Sequence, residues 1–218
     1  MIGTRHLTWA NTRFAPTPFL HNLINQGFHV LDSALPESQA QSIQKYAEKI
    51  RTEQLFQPAK IGLSQANTHQ KNLEIRSDFT HWLDPETSPP EIQDYFSWIE
   101  NLKNILNQNL YLGLWEFESH LAHYPKGSFY KKHQDRFKTQ DTRRISVILY
   151  LNTHWQESDG GELIIYNSDQ ITQPEIKIMP VFNRLVCFFS ERWHEVQISN
   201  RDRLSLTGWL KVRSSFHN

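Results

Sequence analysis

The sequence predicts a mainly β protein, an all-β barrel or jelly roll buttressed by helices toward its N-terminus. Helical periodicity is confined to the first half. Beyond residue 114 the chain breaks into seven or eight short apolar runs separated by turn signals. A chain of 218 residues suits one core with a helical layer.

Residues 1–26 read as an N-terminal lead-in, polar through position 18 and carrying Pro16 and Pro18. Gly27–Asp32 predicts a short strand. Pro36 opens an amphipathic helix to about Arg51, with Ile43, Tyr46, Ala47 and Ile50 at helical spacing. Residues 52–72 show no convincing period, and the stretch ends in Leu73-Glu74-Ile75-Arg76-Ser77-Asp78. Ser88-Pro89-Pro90-Glu91 offers a capping box and Pro in a first turn, followed by a stripe of Ile92, Tyr95, Phe96, Ile99, Leu102 and Leu106. Helical support is therefore expected over 36–107 and a β core over 114–212, with 213–218 a short tail. The predicted strands are Trp115–Tyr124, Ile145–Leu151, Glu162–Tyr166, Ile176–Met179, Arg184–Phe189, Glu195–Ile198 and Arg203–Val212. Between them lie Pro125-Lys126-Gly127, Asp159-Gly160-Gly161, Phe182-Asn183 and Asn200-Arg201-Asp202.

With 23 basic and 23 acidic residues the chain has no net field drawing it to nucleic acid or membrane. The single cysteine, Cys187, lies in the apolar run 185–189, which predicts a buried strand residue and excludes a disulfide framework. No apolar stretch approaches the ~20 residues of a membrane span, and the N-terminus lacks a signal-peptide core. The expected setting is a reducing cytoplasm, and the expected state is a monomer or weak oligomer.

His133-Gln134-Asp135, then His194 and Arg203, carry the chemistry. Side chains at i and i+2 leave a strand on one face, so His133 and Asp135 can reach one metal. A short His-x-Asp means little alone in a chain with 11 histidines. His194, opening a later strand, completes two imidazoles and one carboxylate, a set that leaves open positions on Fe(II) for co-substrate and O₂. His6, His21, His29, His69, His81, His154 and His217 read as surface or hydrogen-bonded residues. His120 and His123 face opposite sides of their strand and cannot form a second pair. Arg203 starts the last strand, nine residues after His194. A guanidinium inside a barrel is costly unless a carboxylate pairs with it, which suits a dicarboxylate co-substrate. Ser205, Thr207 and Trp209 share its face, and Thr207 could donate to the same carboxylate.

Tyr124-Pro125, Tyr130, His133-x-Asp135, Tyr150-Leu151-Asn152, Gly160-Gly161-Glu162-Leu163, Pro180-x-Phe182-x-Arg184-Leu185 and His194-Glu195-Val196 to Thr207-x-Trp209 together resemble the 2-oxoglutarate- and Fe(II)-dependent prolyl hydroxylases. The resemblance is to the hypoxia-inducible-factor prolyl hydroxylase branch and its bacterial relatives. Leu63-Ser64-Gln65 and Ile75–Asp78 with Trp82 resemble the flanks of that branch's mobile substrate-covering loop. The resemblance implies a double-stranded β-helix core (jelly-roll, cupin-like) with Fe(II), 2-oxoglutarate, O₂ and ascorbate as cofactors. His133, Asp135 and His194 would be iron ligands. Arg203 would bind the distal co-substrate carboxylate with Tyr150 and Thr207, Tyr124 would lie near the chelating end, and Leu163 would wall the pocket. Arg76, Asp78, Arg143 and Trp209 would contact substrate, with a loop around 64–78 as its lid. Four features depart from the pattern: the Tyr124-to-His133 spacing is one residue shorter and the His133-to-Tyr150 spacing one longer than in the animal enzymes, loop 136–142 is basic and polar rather than Gly-rich, and the six residues after Val212 leave no room for a C-terminal helix.

On the residues alone, Tyr150 and Leu163 serve equally as inward core residues, Gly160-Gly161 as any tight turn, and Arg76/Asp78 as a surface salt bridge. The resemblance implies hydroxylation of a prolyl ring, at C4, in an exposed loop of a cytoplasmic protein, with elongation factor Tu or a ribosomal protein as candidate targets and succinate and CO₂ as products. The alternatives are a 2-oxoglutarate oxygenase acting on an amino acid, a sugar or a nucleobase, and a non-catalytic metal-binding jelly-roll sensor.

Overall fold

The computed structural model describes residues 16–59, 74–136, 142–167 and 172–214. Their elements run α1 (Pro16–Gln26), β1 (Phe28–Leu31), α2 (Glu37–Thr52), β2 (Gln57–Pro58), β3 (Phe79–Leu83), α3 (Pro90–Leu110), β4 (Leu114–Tyr124), β5 (Tyr130–His133), β6 (Arg143–Tyr150), β7 (Leu163–Tyr166), β8 (Pro174–Ile178), β9 (Leu185–Phe189), β10 (His194–Val196) and β11 (Arg203–Val212). The strands form two antiparallel sheets, ordered β1-β9-β6-β11-β4-β3-β2 and β5-β10-β7-β8. This is the expected jelly roll with helical support.

The centre of the larger sheet, β6, β9 and β11, is buried on both faces, and strand alternation allots each face its own core. Leu204, Leu206 and Leu210 of β11, with Ile145, Val147 and Leu149 of β6, pack under the helices against Phe19, Ile43, Tyr95, Ile99 and Leu106. The opposite face meets the smaller sheet through Ile148, Tyr150, Val186 and Phe188 against Leu163, Ile165 and Val196. Arg203, Ser205, Thr207 and Trp209 share that inner face of β11, as the alternation predicted. Cys187 is fully buried in β9.

The structure corrects several element assignments. Residues 16–26 form a helix whose Phe19 and Leu23, four apart, are buried in the helix-side core, so this part of the lead-in belongs to the packed body. α3 starts after Pro89 with no side-chain cap, so the Ser88/Glu91 capping box does not form. Two prolines already meet the needs of that first turn, since they have no amide hydrogen to satisfy. β3 and β5 were not recognised; both are short strands rich in polar or aromatic residues, and pairing with neighbours defines them. Leu63-Ser64-Gln65, residues 64–73 of the expected lid and most of loop 136–142 lie outside the described residues.

Asn183 locks the β8–β9 turn to the segment before α2. Its backbone is left-handed at φ 59°, and its buried side chain accepts from Leu35 N at 3.0 Å and donates to Leu35 O at 2.8 Å. Asn183→Ala strands both main-chain groups of Leu35, and the expected loss is about 2–3 kcal/mol of stability. Chemical denaturation of the two proteins would measure it.

Candidate metal centre and adjoining cavity

His133 ends β5, His194 opens β10, and the two are direct cross-strand partners. Their rings therefore leave the same face, with centroids 4.2 Å apart. Each Nδ1 bonds a main-chain carbonyl two residues back, Lys131 at 2.7 Å and Arg192 at 2.9 Å. A carbonyl only accepts, so Nδ1 carries the proton and Nε2 keeps its lone pair for an ion. The two Nε2 atoms lie 3.6 and 3.5 Å from the Asp135 oxygens.

Asp135 is placed by its amide, which donates to Ser190 O at 3.0 Å. Its Oδ2 accepts the Ser146 hydroxyl at 2.7 Å, and Ser146 shares a further 2.9 Å bond with Ser190. Burial alone would raise this carboxyl's pKa; His194, His133 and Arg143 outweigh that and hold it well below the usual carboxylate range. The three side chains offer ligand atoms all within 4.8 Å of one another. Two imidazoles and one carboxylate on a single side, facing a cavity on the other, fit a divalent metal with open positions, Fe(II) being the type case.

The cavity has a volume of about 590 Å³, ample for a small ligand and part of a second. At its inner end Arg203 is only 1% exposed. Its guanidinium lies between the Tyr124 and Tyr150 rings, 4.8 and 4.9 Å from their centroids. Among the described residues no carboxylate pairs with it, and both its Nε and the Tyr150 hydroxyl are buried without a hydrogen-bond partner. A buried guanidinium without a counter-charge is costly, and a carboxylate from a ligand would relieve it. Leu163, Ile148 and Val196 line the cavity as apolar wall.

Of the sequence-predicted residues, His133, Asp135, His194, Arg203, Tyr124, Leu163, Thr207, Arg76, Arg143 and Trp209 all line this one cavity. Tyr150 lies behind Arg203 rather than on the wall. Asp78 is also off the wall, bound to Arg76 by two bonds of 2.7 and 2.6 Å with its side chain wholly buried. That pair is no surface salt bridge. Arg143 pairs with Glu118 at 2.7 Å and stacks 3.6 Å over the Trp209 ring.

Sequence reasoning missed Ser146, since nothing in Arg144-Ile145-Ser146-Val147 marks a hydroxyl destined for Asp135. It also set His120 aside too early. His120 lines the cavity, 4% exposed, with Trp82 and Trp209 rings at 5.0 and 5.3 Å. Strand parity was the available signal: His120 shares the face of Tyr124, and His123 does not.

Burial, with the charges of Arg76 and Arg143, pushes His120 down to about 3. Burial and then His133 bring His194 to about 4. Both lie below the usual 6.5, so between those values the unfolded chain binds protons that the folded chain does not. Stability is then full above about pH 6.5 and falls as the pH drops. The metal-free protein should lose melting temperature from pH 6.5 to 4.5. His120→Met should flatten the slope by one proton's worth, about 1.4 kcal/mol per pH unit. An unchanged slope in thermal melts would refute the buried neutral state of His120.

The family model for the 2OG-Fe(II) oxygenase superfamily matches residues 119–211, a span holding all three candidate ligands and Arg203. A Pseudomonas putida prolyl-4-hydroxylase structure is similar at 34% identity and TM-score 0.80, covering 90% of this chain and 98% of that one. A Trichoplax adhaerens prolyl hydroxylase, in complex with a peptide fragment of the hypoxia-inducible-factor oxygen degradation domain, matches at 25% identity and TM-score 0.78 over 88% and 87%. The Xenopus laevis prolyl 3-hydroxylase OGFOD1 is 30% identical over 126 residues, 54% of this chain and 23% of that protein. The chain thus spans less than a quarter of the length of the curated relatives it matches. Likeness running almost end to end with a solved prolyl-4-hydroxylase, and a metal cluster inside the matched segment, place the chain in the 2-oxoglutarate- and Fe(II)-dependent oxygenase superfamily, on its prolyl hydroxylase branch.

Proposed function

We propose that this protein hydroxylates a prolyl residue in an exposed loop of a cytoplasmic protein, using Fe(II), 2-oxoglutarate and O₂. Elongation factor Tu and a ribosomal protein are the leading candidate targets. The observation that carries the reading is one cavity with His133, Asp135 and His194 at one end and, at the other, the fully buried Arg203, with which no carboxylate among the described residues pairs.

When bound, the iron and its co-substrates supply the oxidising power: 2-oxoglutarate and O₂ become succinate and CO₂, and one oxygen goes to the substrate carbon. The chain supplies position and exclusion. Arg203 takes the far carboxylate of the co-substrate, with Thr207 on the same strand face and the Tyr150 hydroxyl, now without a partner, as further donors. Tyr124 closes one side of the guanidinium, and Leu163 with Ile148 and Val196 keeps water from the reacting end.

Substrate would approach past Trp82, which is 56% exposed, and past Trp209 and Tyr130. The two arginines at this mouth already hold carboxylates, Arg76 with Asp78 and Arg143 with Glu118. An aromatic wall whose cations are neutralised suits an uncharged ring on a peptide better than an anionic metabolite. Relatives named both as 3- and as 4-hydroxylases support either ring carbon, and we favour C4.

Arg203→Ala is expected to raise the 2-oxoglutarate concentration for half-maximal turnover at least tenfold, whereas His133→Ala and Asp135→Ala abolish turnover at ordinary iron concentration. Assays of succinate formation with ascorbate present distinguish the two outcomes. To name the target, soluble proteins of the host are compared by quantitative mass spectrometry after exposure to active enzyme or to His194→Ala. A single proline gaining one oxygen only with active enzyme establishes protein hydroxylation, and amino-acid analysis assigns C3 or C4. Co-substrate turnover with no protein site altered would overturn the prolyl reading in favour of a small molecule.

A further inference from the structure

The two imidazoles of the cluster are not equally supported. His194 is 4% exposed at its side chain and packs edge-on against Phe188, a core ring 4.8 Å away. His133 is 15% exposed and stands at the end of a four-residue strand. Its ring instead lies flat on Tyr130, with centroids 3.5 Å apart and planes 15° from parallel. The other side of Tyr130 is capped by the Arg76 guanidinium at 4.2 Å, and that guanidinium is held in a fork by buried Asp78.

The backbone follows the same path. Lys131 N donates to Ile75 O at 2.8 Å, Ser77 N donates to Phe129 O at 3.1 Å, and Arg76 bridges Tyr130. β5 is thus clasped between β10 and the segment 75–77.

We infer that Tyr130 is a positioning residue for His133, and that the stack Asp78–Arg76–Tyr130–His133 makes metal affinity depend on the segment leading into β3. A stacked ring limits rotation of the imidazole about its Cβ–Cγ bond, where the single Nδ1 bond to Lys131 fixes only one direction. The capping guanidinium in turn presses the phenol ring onto the imidazole. Partners of this kind that orient a metal-binding histidine change affinity about 10–100-fold on removal. By linkage, an ion at His133 stabilises the 75–77 clasp by the same free energy that the clasp lends to the ion. This inference rests on His133 being a metal ligand.

The test uses Co(II) as probe, titrated into the metal-free full chain and followed by its visible absorption. Tyr130→Leu should bind Co(II) roughly tenfold or more weakly, with an altered absorption band, while Tyr130→Phe, which keeps the ring, stays within about twofold of wild type. Wild-type affinity in Tyr130→Leu overturns the inference. If Tyr130→Leu fails to fold, the paired variant Arg76→Met/Asp78→Asn leaves Tyr130 and His133 in place and carries the test; unchanged affinity there overturns the stack's role. His133→Ala separates the two readings. Wild-type Co(II) binding by His133→Ala would remove the metal assignment itself, whereas weak binding there with wild-type binding by Tyr130→Leu removes only the positioning role.

Discussion

Everything in this structure hangs on β11 being buried on both faces while one of those faces carries an arginine. A strand that contributes leucines to one side and Arg203, Ser205, Thr207 and Trp209 to the other must lie between a hydrocarbon layer and a cavity. The helices exist to cover the first face. The smaller sheet stands off the second face far enough to leave room, and it brings the imidazoles to the other end of that room. A register slip of one residue would place the guanidinium under the helices and the leucines in the cavity, so both core and site are lost together.

The same strand explains why much of the fold was legible. Arg203–Val212 was bounded correctly because its alternation is strict, and β4, β6 and β9 were found within a residue or two for similar reasons. The candidate ligand cluster was visible in the sequence because His133 and Asp135 are two apart and His194 begins a strand. Legibility failed where three-dimensional neighbours, not local pattern, define the element. β5 reads Tyr-Lys-Lys-His, which has no apolar alternation, and it is a strand because β10 and residues 75–77 pair with it. Ser146 is one serine in an apolar run until the fold brings Asp135 to it. The Arg76/Asp78 pair could not be told from a surface bridge, since its burial comes from chain segments remote in sequence.

The cavity also holds polar groups that the free protein leaves unsatisfied. Among the described residues, Arg203 Nε, the Tyr150 hydroxyl, His120 Nδ1 and the Trp209 indole nitrogen are buried without hydrogen-bond partners. Each lowers stability by an amount of order 1–3 kcal/mol, and these four of the eight such atoms among the described residues belong to residues in or directly behind one cavity. Such a concentration is the usual trade of stability for a site prepared in advance of its ligand.

Two of the three candidate ligands, His133 and His194, belong to the smaller sheet and the guanidinium to the larger one, so the packing of Phe188, Ile165, Leu163 and Val196 between the layers bears on how far apart they stand. That hydrocarbon works as a caliper. The span between the two ends then depends on the girth of four apolar side chains as well as on the polar residues that line the cavity. A change of volume in that core would shift the two ends of the cavity relative to each other without altering any polar residue of the site.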